Sequence, residues 1–169
     1  MREATEQVAS LLKVKPQEVI FTSSSSESNN LAIKGIYSFY SKRTRKIITT
    51  KLEHTSVLET IRAIGDVEVL YAPLDEEGHV DLMALERLLQ QEPLLVTIQH
   101  VNSETGLIQD IDRIGQLIKK YPKTFFHVDG TQSVGKLPID LTYVDLFTFS
   151  AHKFFGLKGI GCLIKKHNI

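Results

Sequence analysis

The chain has 169 residues, long enough for one domain with a buried core and too short for two comfortable ones. Its 20 basic and 20 acidic residues cancel, and no apolar run approaches membrane-spanning length, so neither nucleic acid nor a membrane is expected as a partner. The amphipathic opening MREATEQVASLL carries early acidic residues, unlike a signal or transit peptide. The single cysteine excludes an internal disulfide. A cytoplasmic location is therefore the expected default.

Apolar runs typical of strands alternate with amphipathic helical stretches along the chain, which predicts an α/β fold with a mostly parallel sheet flanked by helices. In chain order, the first predicted elements are a helix at 2–13, a strand at 18–22, a helix at about 27–41, a strand at 46–50, a helix at about 55–63 and a strand at 67–71. They are followed by a helix from 81 to about 90, a strand at 94–100, a helix at about 111–121, and strands at 124–128, 144–149 and 159–164. No repeat or linker interrupts this pattern, so residues 1–169 are predicted to form a single domain.

Short polar clusters follow five of the predicted strands. They read SSSSE, KLEH, NSET, DGTQ and SAHK in chain order. In open α/β sheets, ligands bind in the crevice beyond the carboxyl ends of the strands. Five separate segments therefore predict one binding site at that edge of the sheet.

The segment FHVDGTQSVGKLPIDLTYVDLFTFSAHKFFGLKG, residues 126–159, contains the strongest chemical signal. Asp129 and Gln132 follow one predicted strand, and Ser150, His152 and Lys153 follow the next. A lysine amine that the apolar residues after it desolvate can form a Schiff base, and a carboxylate can keep a pyridine nitrogen protonated. This set of groups suits an aldehyde cofactor with a pyridine ring.

The string SAHKFFGLKGIG resembles the Ser-x-His-Lys-x-x-Gly-Pro-Lys-Gly signature of class V aminotransferases, most closely that of cysteine desulfurases of the NifS/IscS kind. The resemblance implies that Lys153 forms the Schiff base with pyridoxal 5′-phosphate (PLP), with Ser150 and His152 beside it. The family pattern His-x-Asp-x-x-Gln implies that Asp129 faces the pyridine nitrogen and that Gln132 reaches the phenolic oxygen. Leu157 stands where the family usually has proline, which alters the stiffness of the loop and not its chemistry.

The serine run at 23–26 precedes an amphipathic helix, and Ser24 and Glu27 have the spacing of a capping box. A strand followed by a small polar turn and a helix N-terminus forms an anion site. The run resembles the family's Thr-Ser-Gly-Ala-Thr-Glu-Ser-Asn-Asn, which implies that Ser25 and Ser26 hold the PLP phosphate. Ser24 occupies the family's glycine position, where a positive φ angle would strain a serine.

Two further segments match the family less completely. His54, in TTKLEHTSVLE, matches the family histidine that stacks on the cofactor ring and takes part in proton transfer. The ordinary alternative is a histidine at a helix N-terminus. In HVNSETG, Ser103 replaces an asparagine that lies near the ring oxygen in the family, and the shorter hydroxyl is not assigned that contact.

Two rival interpretations concern the cysteine and the metals. Cys162 lies in the apolar run GIGCLI, where a lone cysteine is usually a small buried hydrophobe, so it is not expected to be the persulfide cysteine of a desulfurase. His127 and Asp129 with His152 provide a possible divalent-metal set, but no HExxH or paired CxxC motif supports it, and no metal is predicted.

The resemblance extends over residues 4–165, yet family members are more than twice as long. It implies part of the large domain of a type I PLP-dependent transferase, without the N-terminal segment, the small domain and the cysteine loop. The implied activity removes sulfur from L-cysteine to give L-alanine and an enzyme persulfide for iron-sulfur cluster or thio-cofactor assembly, with a sulfur-acceptor protein as partner and a homodimer as the assembly. Alternatives are a selenocysteine lyase, another class V lyase, or a non-catalytic remnant that binds PLP or a partner.

Overall fold

The computed structural model describes residues 2–166 and Ile169, and their core is a sheet with helices on both faces. The helices are α1 (Arg2–Leu12), α2 (Ser25–Tyr40), α3 (Thr55–Arg62), α4 (Leu82–Leu89) and α5 (Ile111–Ile118), with short 3₁₀-helices at Pro16–Glu18 and Ala151–Phe154. The strands are β1 (Val19–Thr22), β2 (Lys46–Thr49), β3 (Glu68–Tyr71), β4 (Leu95–Gln99), β5 (Phe125–Asp129), β6 (Leu146–Ser150) and β7 (Gly161–Lys165).

The predicted α/β architecture is confirmed, with small shifts at the ends of the elements. Helix α2 begins at Ser25, two residues earlier than predicted, because Ser24 is its N-cap and accepts a hydrogen bond from the Glu27 N–H. Asp81 caps α4 as predicted, since its carboxylate accepts from the N–H groups of Met83 and Ala84.

The strand order of the sheet is β1-β7-β6-β5-β4-β2-β3. Strands β2 to β6 pair in parallel, whereas β7 is antiparallel to both of its neighbours, β1 and β6. Strand β1 therefore runs in the same direction as β2 to β6. The carboxyl ends of all these strands meet at one edge of the sheet, together with the start of β7 at Gly161.

Each face of the sheet carries its own apolar core. On one face, Ile33 of α2 and Ile61 of α3 pack with Ile47 and Leu95 of the sheet. The other face buries a larger cluster, which includes residues of α1, α4 and α5 together with Phe126 of β5. Full burial of one such side chain contributes about 1.5–3 kcal/mol, so the two layers of helices hold the sheet and its loops in place.

None of the helices in the described part of the chain is both long enough and apolar enough to cross a lipid bilayer.

Candidate active site

A cavity of about 440 Å³ opens at the carboxyl edge of the sheet. All eight predicted site residues line it, although their roles toward a cofactor remain predictions. They are Ser25, Ser26, His54, Asp129, Gln132, Ser150, His152 and Lys153. The cavity thus joins the ends of β1, β2, β5 and β6 with the N-termini of α2 and α3.

The serine turn at the start of α2 is unstrained. Ser24 has a φ angle of −169°, an extended conformation that any residue adopts, so a serine at the family's glycine position costs no backbone strain. The expected capping box is displaced by one residue, because the Glu27 carboxylate accepts from the Ser23 N–H and hydroxyl at 2.6 and 2.7 Å. These bonds lower the pKa of Glu27.

The first N–H groups of α2 differ in their availability. The Ser25 N–H donates to the Ser150 hydroxyl oxygen over 2.7 Å, and the Glu27 N–H donates to the Ser24 hydroxyl. The Ser26 N–H lies in the first turn and has no intrahelical acceptor. With the hydroxyls of Ser25 and Ser26, it offers donors to an anion at the positive end of the helix dipole.

Asp129 lies at the end of β5 and is only 5% exposed. Its Oδ1 accepts from the Thr131 N–H at 2.9 Å, so it caps the following turn. Its Oδ2 accepts from the Asn29 side-chain amide at 2.9 Å. Two donors therefore orient a carboxylate that also lines the cavity.

Asn29 is a functional candidate that sequence reasoning missed. It is fully buried on α2, where its amide donates to both Asp129 and the Ser56 hydroxyl, and its carbonyl accepts from the Thr148 hydroxyl at 2.6 Å. The signals in the sequence are an amide on the apolar face of a predicted helix and its place in the stretch that resembles the family's Ser-Asn-Asn. Such a buried amide needs partners, and these come from three other elements of the fold.

His54 is exposed at the N-terminus of α3, where it serves as the N-cap residue. Its Nδ1 accepts from the Ser56 N–H at 3.1 Å and lies 2.8 Å from the Ser56 hydroxyl. The helix-capping interpretation and the cavity-lining one therefore hold for the same ring.

Lys153 and His152 lie on the short 3₁₀-helix after β6, and both side chains are exposed. The expectation that the following phenylalanines desolvate Lys153 is wrong. Phe155 ends this helix in the left-handed conformation, with a φ angle of 67°, and its side chain is fully exposed. Within the described residues, the Lys153 amine makes no hydrogen bond or ion pair, so it is available to a ligand.

The remaining side chains at the cavity are polar. Gln132 accepts from the Lys136 amine at 3.2 Å through its Oε1, which leaves its amide N–H groups for a ligand. Ser103 lines the cavity and donates its hydroxyl to the Glu104 carboxylate at 3.2 Å. Residues that the sequence interpretation did not assign also line the cavity: Ser24, Gln99, Val101, Glu104 and Thr131.

Glu53, which precedes His54, is buried beside the site. Its pKa is raised to about 8, chiefly by burial and in part by the negative charge of Asp129, against the opposing effect of the hydrogen bond from the Thr50 hydroxyl. That hydroxyl donates to Oε1 at 2.7 Å, whereas Oε2 has no partner within the described residues. A protonated carboxyl group therefore lies next to the cavity near neutral pH.

The rival metal set is not assembled. His127 and Asp129 share one face of β5, because residues two apart in a strand point the same way. Both His127 nitrogens are engaged, with the hydroxyls of Thr97 at 2.7 Å and Thr148 at 3.3 Å, and burial lowers the pKa of His127. Among residues 2–166 and 169, no three His, Cys, Asp or Glu side chains form a metal-binding group.

Cys162 is buried in β7, as predicted for a small hydrophobe in that strand. Burial raises the pKa of its thiol to about 12, so the reactive thiolate form is suppressed at neutral pH.

A lysine, a carboxylate and a helix N-terminus thus line one cavity at the carboxyl edge of an α/β sheet, and comparison with known proteins specifies the family of the chain. The aminotransferase class-V family matches residues 1–169, and the chain belongs to that family. The cysteine desulfurase IscS of Pectobacterium carotovorum subsp. carotovorum (strain PC1) is 48% identical over 164 residues, which are 95% of this chain and 40% of that protein.

Solved structures agree with the sequence comparison. A NifS-like protein superposes with a TM-score of 0.95 at 40% identity, over 99% of this chain and 47% of that one. SspA in complex with cysteine gives a TM-score of 0.89 at 37% identity, over 97% of this chain and 48% of that one. The predicted family is therefore confirmed, and the chain spans less than half the length of these relatives.

Proposed function

We propose that the chain is the PLP-binding part of a cysteine desulfurase, which takes sulfur from L-cysteine and leaves L-alanine and a persulfide on an enzyme cysteine. The observation that supports this most is the convergence of Lys153, Asp129 and the α2 N-terminus on one cavity of about 440 Å³. The names of the relatives, IscS and NifS-like proteins, favour desulfuration among the reactions of the family.

The residues around the cavity fit PLP. Ser25, Ser26 and the Ser26 N–H form an anion site for its phosphate, and the Asp129 carboxylate lies across the same cavity. When bound, PLP supplies an aldehyde that can join an amine and a protonated pyridine ring that accepts electrons. The chain offers a group for each of these features.

Asp129 would hold the proton at the ring nitrogen, since two hydrogen bonds fix the direction of its carboxylate. The amide N–H groups of Gln132, whose Oε1 accepts from Lys136, would donate to the phenolic oxygen. The His54 ring, whose Nδ1 is engaged by Ser56, presents its Nε2 edge for proton transfer. Lys153 provides a primary amine at the cavity that has no hydrogen-bond or ion-pair partner among the described residues.

Further parts of the proposal concern the whole protein. We infer that it acts in the cytoplasm as a homodimer and passes its persulfide sulfur to an acceptor protein for iron-sulfur cluster or thio-cofactor assembly. Among the relatives, SspA was solved in complex with cysteine, which supports L-cysteine as the substrate proposed for this protein.

Borohydride trapping tests the cofactor assignment. Purified chain is incubated with PLP and reduced, and the modified peptide is identified by mass spectrometry; we expect one phosphopyridoxyl group on Lys153. Lys153→Arg should abolish the adduct, whereas Lys158→Arg, at the next lysine of the same loop, should retain it. An unmodified Lys153 in the presence of excess PLP would refute the assignment.

Release of alanine tests the reaction. L-cysteine and a thiol reductant are added to the PLP-loaded protein in which this chain is joined to a segment with a persulfide cysteine, and alanine and sulfide are quantified. Both products in equal amounts, lost in Lys153→Arg, would support a desulfurase, whereas an adduct without alanine in that protein would support a cofactor-binding role alone.

A further inference from the structure

A continuous hydrogen-bonded path joins His54 to Asp129 through protein groups alone. From the His54 Nδ1 it runs 2.8 Å to the Ser56 hydroxyl, 2.9 Å to the Asn29 amide nitrogen and 2.9 Å to the Asp129 Oδ2. The two ends of the path line the same cavity, and Asn29 is fully buried in its middle. The path thus connects two groups that face one ligand.

The direction of every bond at Asn29 is determined by its surroundings. A carboxylate can only accept, so the Asn29 amide nitrogen faces Asp129 and its carbonyl faces Thr148. The Thr148 hydroxyl donates to that carbonyl and accepts from the His127 Nε2–H, and the Thr97 hydroxyl donates to the His127 Nδ1. The reversed amide would place the Asn29 carbonyl oxygen against the Asp129 carboxylate, so that two acceptors would face each other.

With Asn29 so oriented, the Ser56 hydroxyl oxygen accepts from the amide and its proton is free to point to His54. The Ser56 backbone N–H also donates to the His54 Nδ1 over 3.1 Å. Both donors require a lone pair on Nδ1. The neutral ring that satisfies them therefore has its proton on Nε2, the nitrogen on the other edge of the ring.

We propose that Ser56 is a positioning residue that holds His54 in the Nε2–H form and, through Asn29, in a fixed relation to Asp129. The inference rests on the proposed function, since it gives both ends of the path a role toward one cofactor. The path preorganises the His54 ring and the Asp129 carboxylate before the ligand binds.

Histidine tautomers are read directly from the ring ¹⁵N chemical shifts and their couplings to the ring protons. In the cofactor-free chain, labelled with ¹⁵N-histidine, we expect His54 to show a protonated Nε2 and an unprotonated Nδ1. In Ser56→Ala we expect both shifts to move toward those of a ring that exchanges between the two tautomers. Ser56→Thr retains the hydroxyl and should restore the original spectrum.

The affinity for PLP gives a second readout, because loss of one hydrogen bond of about 0.5–1.5 kcal/mol corresponds to a roughly 2- to 12-fold weaker binding. We expect Ser56→Ala to weaken PLP binding within that range and Ser56→Thr to restore it. Thr55→Ala is the matched control, because it removes a hydroxyl one residue earlier in α3 and outside the path. Circular dichroism establishes that each variant is folded.

The proposal is overturned if His54 is protonated on Nδ1 in the unchanged chain, or if Ser56→Ala has the same His54 spectrum as Thr55→Ala. These spectra need no cofactor. If the unchanged chain fails to trap PLP on Lys153 but its His54 is protonated on Nε2, the proposed function is refuted and the role of Ser56 stands. If the chain traps PLP on Lys153 but its His54 is protonated on Nδ1, the role of Ser56 alone is refuted.

Discussion

The backbone N–H of Ser25 donates to the Ser150 hydroxyl oxygen over 2.7 Å, which joins two residues 125 positions apart in the chain. Ser25 begins α2 and Ser150 ends β6, three residues before Lys153. This one bond ties the anion-binding end of the cavity to the strand that carries the lysine. The distance between the proposed phosphate site and the amine is therefore set by the protein and not by a ligand.

We predict that Ser150→Ala loosens this connection. The part-buried Ser25 N–H loses the buried Ser150 hydroxyl as its acceptor, which should lower the free energy of unfolding by about 0.5–1.5 kcal/mol. The PLP dissociation constant should rise in the same variant. Urea denaturation and equilibrium dialysis measure the two effects, and Ser10→Ala on the exposed side of α1 is the control. Equal stability of the two variants would contradict the prediction.

Gly161→Ala should disturb the serine turn before α2, because Gly161 at the start of β7 packs against the Ser24 backbone. A methyl group at position 161 would lie 2.6 Å from the Ser24 Cα, so the turn or β7 must shift. Overpacking of this kind costs about 1–3 kcal/mol, and we expect a matching fall in stability together with weaker PLP binding.

Gly35→Ala is the matched control for Gly161→Ala. Gly35 lies on the exposed face of α2, and a methyl group there would meet nothing within 4 Å. Because alanine favours the helix, this variant should gain about 0.5–1 kcal/mol. The thermal unfolding midpoints of the two variants should thus move in opposite directions, and a parallel shift would be inconsistent with this packing.

Glu53 should make stability depend on pH. Its pKa is about 8 in the folded chain, above its ordinary value of 4.5, so between these limits the folded chain holds a proton that the unfolded chain has released. The contribution of Glu53 to stability is complete below its unfolded pKa of 4.5, and it is lost as the pH rises through its folded pKa of about 8. The loss between about pH 6 and pH 8 should be about 2 kcal/mol.

Glu53→Gln tests this dependence, because the amide is neutral at every pH. We expect the difference in unfolding free energy between the variant and the unchanged chain to grow in favour of the variant as the pH rises over that range. Urea titrations without cofactor measure it, and Glu59→Gln on the exposed face of α3 is the control. A difference that stays constant with pH would show that Glu53 is ionised in the folded chain.

Cys162 should be unreactive in the folded chain. Its thiol is buried and its pKa is raised to about 12, so a thiol reagent such as DTNB should react with it slowly in buffer and rapidly in denaturant. Absorbance of the released chromophore follows both rates. Fast, complete labelling without denaturant would argue that β7 opens readily or that the thiol is exposed.

The α/β fold and the residues that line the cavity could largely be predicted from the sequence. The order of elements follows from hydrophobic periodicity, and polar clusters after parallel strands must meet at one edge because the strands end there. Ser25, His54, Asp129 and Lys153 each follow a strand in the sequence, and all four line the cavity. Their roles toward PLP remain predictions that the experiments above address.

The environment of individual side chains was harder to predict. The prediction that the following phenylalanines desolvate Lys153 was wrong. It depends on Phe155, which has a left-handed backbone conformation and a fully exposed ring. Glu53 reads as an ordinary surface acid in the segment KLEH, yet it is buried beside Asp129. Burial of a loop residue depends on elements far along the chain, and local patterns contain no information about them.

By itself, the sequence determined the alternation of strands and helices, the family, and the residue types available for a PLP site, since these depend on local pattern and composition. Only the tertiary structure decided which groups touch. Asn29 comes from α2, Ser56 from α3 and Asp129 from β5, and their hydrogen bonds exist because the sheet order places these elements side by side. Hydrogen bonds act over about 3 Å, so contacts between distant segments appear only once the chain has folded.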